Sequence, residues 1–214
     1  MSDVERNKRN AVLRFGYSEN RTQGPKGCHL SQRDNSECAV GLTGSTKLEV
    51  VRGYESAIPF IMATERTAGF DDLVGRWEET QHRAALADGR HAYFIARNGS
   101  EPIGFAIVRD WASPERVTLV KRIAVFPPGH GYGRALLAKV IDTVFEETEA
   151  WRIWLGVFPE NIRARRAYEA VGFRAEGIAR GYAFIGGVHR DELMMALLRP
   201  EWEARRKPTL DSMP

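Results

Sequence analysis

Residues 126–137 read FPPGHGYGRALL: a proline pair, three glycines at alternate positions and an apolar stretch, directly after the strand-like VTLVKRIAV. Glycine tolerates positive φ and close backbone approach, so Gly129, Gly131 and Gly133 let consecutive N–H groups converge where the next helix starts. With the positive end of a helix dipole behind it, such a nest suits a phosphate. Pro127 and Pro128 close the preceding strand, because neither can donate to a ladder. Two nucleotide motifs fail at this loop. The dinucleotide fingerprint needs G-x-G-x-x-G where this chain has G-x-G-x-G, and a P-loop needs Lys-Ser/Thr where this chain has Arg134-Ala135. A purely structural turn stays open on these residues alone.

The chain has 214 residues, 43% of them hydrophobic, enough for one domain with its own core. Lys and Arg number 31 against 28 Asp and Glu, a net +3 without a clustered basic stripe, so no nucleic-acid partner is expected. No charged-then-apolar leader is read at the N-terminus, and no apolar run approaches the ~20 residues of a membrane span. With two cysteines, the expected setting is soluble, cytoplasmic and thiol-reducing, with no membrane contact.

Residues 1–46 hold seven Leu, Ile, Val or Phe, roughly 15%, too few to offset ordering entropy, and they are read as a disordered extension. Whether that extension is functional or comes from a start codon placed too far upstream is left open. Cys28 and Cys38 lie there beside His29, but no CxxC or HxxxH pair completes a zinc set, so free thiols and no metal are expected. A folded domain is expected over 47–200 and a polar tail over 201–214. Its pattern starts with the strand KLEVVRGY (47–54) and a helix over 56–67 with Ile58, Ile61, Met62 and Glu65 on one side. A second helix is read over 71–86 from Asp71 as N-cap, with Leu73, Val74, Trp77, Ala84 and Ala85 inward. A hairpin (91–110), a strand (116–126) and an amphipathic helix (133–148, buried stripe Leu136, Leu137, Val140, Ile141, Val144) follow. The remainder alternates strand, helix and a final hairpin, giving an α/β chain with a mixed sheet.

NIRARRAYEAVGF (161–173) supplies a second motif. Asn161 and Tyr168 lie seven residues apart, so on a helix they share a face within about 20° and sit roughly 10 Å apart, with the small Ala164 between them. Taken singly, Asn161 also reads as an N-cap and Tyr168 as a half-buried aromatic. In order and interval, PGHGYGRALL followed by a strand and NxxAxxxYExxGF resembles the GNAT N-acetyltransferase superfamily, over residues 47 to about 200 and most specifically over 118–176. Within it the chain is similar to ribosomal-protein-type N-terminal acetyltransferases.

The resemblance implies a mixed, mostly antiparallel sheet flanked by helices and splayed between its central strands, where pantetheine enters like an extra strand. It implies that the backbone of Ile123, Ala124 and Val125 holds the pantetheine arm of acetyl-CoA. The amides of Gly129, His130, Gly131, Tyr132, Gly133 and Arg134 would hold the pyrophosphate, with Arg165 or Arg166 adding charge. Asn161 would bind the arm, and Tyr168 would protonate the departing thiolate. The family commonly has Arg or Gln where Pro128 stands, and this loop is about two residues short, a departure that bears on one expected phosphate contact.

Chemistry adds two requirements. An amine with a pKa near ~10 must lose a proton before it attacks a thioester, yet VTLVKRIAV has no carboxylate. A remote base acting through water, Glu65, Asp71 or Asp72, is therefore expected, unless the amine arrives neutral. A backbone N–H on the central strand, that of Ile123, would meet the oxyanion. Acceptor choice is expected from residues 70–77 and from the hairpin around Tyr182 to His189, which leaves the acceptor, a protein N-terminus or a small amine, open. An acetyl-CoA-binding sensor without turnover is the alternative from another class; a dinucleotide oxidoreductase fails on its fingerprint. A homodimer stays open.

Overall fold

The structure, a computed structural model, describes residues 48–70 and 75–206. The expectations for residues 1–46, for Asp71, Asp72, Leu73 and Val74, and for 207–214 lie outside the described residues. Seven strands form one sheet: β1 (Leu48–Gly53), β2 (His91–Asn98), β3 (Glu101–Arg109), β4 (Val117–Val125), β5 (Arg152–Val157), β6 (Arg174–Ile185) and β7 (Val188–Leu198). Their order is β1-β2-β3-β4-β5-β7-β6, antiparallel except for β4 and β5. This is the mixed, mostly antiparallel sheet that the resemblance implies.

Period-two alternation splits the core between the two sheet faces. On β2, Ala92, Phe94 and Ala96 join one buried cluster, while Tyr93 and Ile95 join the other. The first cluster is covered by α3 (Tyr132–Glu147) and α4 (Ile162–Ala170), and α3 buries the whole expected stripe from Leu136 to Val144. The second face is covered by α1 (Ile58–Glu65) and α2 (Glu79–Ala87).

Two elements differ from the sequence reading. Within the described residues the second helix is nine residues long and starts at a Glu78 N-cap, whose side chain and that of Gln81 close a reciprocal capping box. Ala84 consequently faces solvent and His82 is buried instead. Residues 199–206, read largely as the start of a polar tail, form α5 (Arg199–Arg206). Arg199 donates to the carbonyls of Phe145, Thr148 and Ala150, and Trp202 Nε1 donates to Asp142 Oδ1 at 2.7 Å, so α5 closes over the end of α3.

The sheet is not continuous across its centre. The parallel pairing of β4 with β5 consists of Val117↔Arg152, Thr118↔Ile153 and Leu119↔Trp154 and then stops. From Val120 to Val125, β4 has β3 on one side and a split on the other. β3 fits close there because residue 104 is glycine: a Cβ on Gly104 would stand 2.6 Å from Ala124 O.

Candidate active site

The glycine loop crosses the wide end of the split. Gly129 and Gly131 take φ of 97° and 77°, left-handed values that glycine adopts without a Cβ penalty. Gly131 is the N-cap of α3 and has no side chain to offer, so the first intrahelical bond is Ala135 N–H to Gly131 O, 3.1 Å. The N–H groups of Tyr132, Gly133 and Arg134 thus begin a sixteen-residue helix with no acceptor in their own turn. They open onto a cleft of about 390 Å³ lined by Val125, the loop glycines and the guanidinium-bearing Arg134, Arg163 and Arg166. Backbone donors, a helix dipole and three arginines all favour an anion at that point. His130 stands at the rim, its ring stacked on Tyr132 at 5.6 Å between centroids and its Nδ1 3.2 Å from Pro128 O.

Helical spacing explains which arginines reach the cleft. Positions 163, 166, 167 and 170 share one face of α4, and all four line it. Arg165 does not: it turns to Pro159 O at 3.1 Å. Of the two arginines expected as alternatives, Arg166 lines the cleft and Arg165 does not, and Arg163, three residues from Arg166, lines it as well.

The ladder decides which backbone groups of β4 face the split. Phe126 N–H donates to Ile103 O at 2.7 Å and brackets the pair Gly104↔Val125. In an alternating antiparallel ladder, Val125 and Ile123 then turn their own N–H and C=O away from β3 and into the split. Ala124 exchanges its bonds with Phe105 instead, so its backbone is spent inside the sheet, a correction to the expectation of three consecutive backbone contacts.

On the far wall, Asn161 caps α4, its Oδ1 accepting from Ala164 N–H at 3.1 Å. Ala164 and Tyr168 are wholly buried along the same helix face. The Tyr168 ring packs on Phe173, and burial, helped by the nearby Glu192 carboxylate, pushes its phenol well above the usual range. At neutral pH the hydroxyl therefore keeps its proton. Glu192, on β7, is a fully buried carboxylate that sequence reasoning did not single out, because it follows the polar run His189, Arg190 and Asp191 and reads as its continuation.

On the other sheet face, Glu65 is committed. Its Oε1 accepts from Arg122 Nη1 at 2.6 Å, and its Oε2 accepts from Trp77 N–H at 3.1 Å and stands 3.5 Å from His82 Nε2. Both carboxyl oxygens hold the segment after α1 against β4, so the structure gives Glu65 an anchoring place rather than a vantage on solvent. Trp77 lies over Arg122 and over Lys121, at 4.4 and 3.9 Å from its ring. Of the hairpin residues, Tyr182 is exposed and His189 is tied to Gly181 O at 2.9 Å. Among the described residues no cluster of three or more His, Cys, Asp or Glu could hold a metal, and no helix is long and apolar enough to cross a membrane.

A family model described as the acetyltransferase (GNAT) family matches residues 59–173. An uncharacterized N-acetyltransferase of Mycobacterium bovis is 30% identical over 158 residues, covering 72% of this chain and 97% of the relative. Among solved structures, the spermidine N-acetyltransferase of Vibrio cholerae in complex with CoA and spermine superposes with a TM-score of 0.66 at 22% identity, covering 73% of this chain and 98% of the other. The ribosomal-protein-S18-alanine N-acetyltransferase of Escherichia coli gives 0.59 at 24% identity, covering 71% and 94%.

Proposed function

The chain belongs to the acetyltransferase (GNAT) family, and from that membership we propose that it moves an acetyl group from acetyl-CoA to a primary amine by direct attack. The observation that carries this reading is the conjunction at the split: an uncapped helix N-terminus and three arginines at its wide end, with outward-facing strand backbone leading inward. In this reading the N–H groups from Gly129 through Arg134, with Arg134, Arg163 and Arg166, hold the pyrophosphate. Ile123 and Val125 pair with the amides of the pantetheine arm, and Asn161 turns its side-chain amide to the same arm.

The chemistry follows from where those groups stand. The acceptor amine attacks the thioester carbonyl, the C–N bond forms as the C–S bond breaks, the thiolate takes a proton from Tyr168, and the surplus proton on the new amide nitrogen leaves to solvent, which reprotonates the Tyr168 phenolate. Ile123 N–H, facing the split, meets the negative oxygen that develops meanwhile. The acceptor is a protein N-terminus or a small amine. Acceptor amines that include a polyamine, an aminoglycoside and peptides with free N-termini, read by thiol release, identify it.

Calorimetry checks the donor. Acetyl-CoA is expected to bind at micromolar concentrations and NAD more weakly; no heat with acetyl-CoA, or tighter binding of NAD, overturns the reading. The arginines carry a salt-dependent share of that affinity, because charges at an open cleft are screened within about 10 Å at ~0.1 M salt. Arg134→Ala and Arg166→Ala are each expected to weaken acetyl-CoA several-fold at low salt and less at high salt. Equal affinity at low salt would remove the arginines from phosphate binding.

A further inference from the structure

Lys121 stands where no ordinary structural lysine is found. It is buried on the central strand, and the register runs Ile107↔Arg122 and then Val108↔Val120, which leaves Lys121 as the extra residue of a β-bulge. Bulges re-aim side chains and concentrate beside active sites. Here the bulge sends Lys121 under the Trp77 ring, on the sheet face that α1 and α2 cover.

Its height along β4 matters as much. Pairing with β5 ends at Leu119, so Lys121 is the second residue of the open stretch and the fourth before Val125. Four residues of extended strand span about 13 Å, and a pantetheine arm has about as many backbone bonds. With pyrophosphate at the loop, the thioester comes level with Lys121.

The two largest charge effects on the ammonium, those of Arg122 and Arg109, work against it, and the smaller ones of Asp110 and Asp88 favour it. Arg122 adjoins it on β4 and Arg109 faces it from β3, while Glu65 of α1 is taken by Arg122. Asp110 is bonded to Arg109 at 3.0 Å, and Asp88, after α2, is bonded to His91 of β2 at 3.0 Å. Among the described residues no carboxylate stands within ion-pair distance of Lys121 Nζ. Burial first, and then Arg122 and Arg109, lower Lys121 to about 7.

We propose that Lys121, on the bulge at the narrow end of the split, is the base that takes the proton from the acceptor ammonium. The inference rests on the acetyltransferase reading above. The acceptor passes one proton to the neutral Nζ and becomes the free amine that attacks the thioester. Lys121, now an ammonium against the Trp77 ring, returns its proton to water before the next turnover. This supplies the function that the carboxylate-free strand left unfilled.

The first test needs neither donor nor acceptor. Competitive labelling with acetic anhydride from about pH 5 to about pH 11 compares Lys121 with Lys139, which is exposed on α3. Lys121 is expected to become reactive with a midpoint near pH ~7, about three units below an ordinary exposed lysine. A shared midpoint, or a Lys121 that never labels, overturns the proposal. The second test is thiol release with the acceptor found above, or with water as acceptor. Lys121→Met and Lys121→Arg are both expected to slow release by roughly 10²-fold or more while leaving the affinity for acetyl-CoA unchanged. Wild-type kcat rises with pH to about 7 and then levels, and this limb disappears in both variants. Lys121→Arg separates the roles, since it preserves the cation over Trp77: full activity in that variant makes Lys121 a packing residue. Failure of acetyl-CoA to bind removes the acetyltransferase reading instead, and the labelling experiment reports on Lys121 in either case.

Discussion

Tyr168→Phe is expected to lower kcat by roughly 10²–10⁴ with little change in the dissociation constant for acetyl-CoA, the range for losing a general acid. The ring is wholly buried against Phe173, so phenylalanine keeps the packing and deletes one hydroxyl. Burial together with Glu192 holds that hydroxyl protonated at neutral pH, which a donor to a thiolate requires. Because the phenol titrates far above neutrality, the loss is expected to be the same at every pH from about 6 to about 8. Single-turnover thiol release and calorimetry on the same preparation check both halves. Wild-type kcat in the variant would place Tyr168 among the core residues and leave water to protonate the thiolate.

Glu65→Gln and Arg122→Met are expected to cost about 3–5 kcal/mol each, because either leaves one buried charge without its partner. Arg122 is 1% exposed and Glu65 0%, so solvent offers almost no compensation. In a domain of this size the loss lowers Tm by on the order of 10 °C. The double variant Glu65→Gln with Arg122→Met removes both charges and is expected to regain much of that stability. Thermal unfolding of the four proteins forms the cycle, and additive losses would show that the pair does not act as a unit. The pair also shapes the lid over the sheet: Gly75 passes so close that a Cβ there would meet Arg122 Nη2 at 3.0 Å.

What the sequence disclosed, and what it withheld, follows from the range of the interactions involved. The glycine loop was legible because positive φ is a property of single residues, and Gly129 and Gly131 need no distant partner to reveal it. The shared face of Asn161, Ala164 and Tyr168 was legible from helical period alone. The same period assigns Arg163 with Arg166, and applying it to the arginines would have set Arg165 aside. Registers between strands were not legible. Whether Ala124 or its neighbours face the split depends on a hydrogen bond from Phe126 to Ile103, and the bulge at Lys121 exists only relative to β3. The ion pair between Glu65 and Arg122 joins residues 57 apart in sequence, so nothing local announces that Glu65 is spent.

Three residue pairs are all that join β4 to β5, so beyond them the protein keeps two strand edges facing each other in its interior. An edge with unmatched amides and carbonyls ordinarily invites another polypeptide to pair with it. Here the invitation is restricted by width. A polypeptide strand carries a side chain at every residue, alternately above and below the sheet, and α3 and α4 on one face with α1 on the other leave those positions filled. A slender molecule with amides at peptide-like intervals and almost no branches can offer the hydrogen bonds without the bulk. In the proposed reading the wedge is therefore a sieve on thickness, suited to a slender, unbranched chain of amides rather than to a second strand that bears side chains.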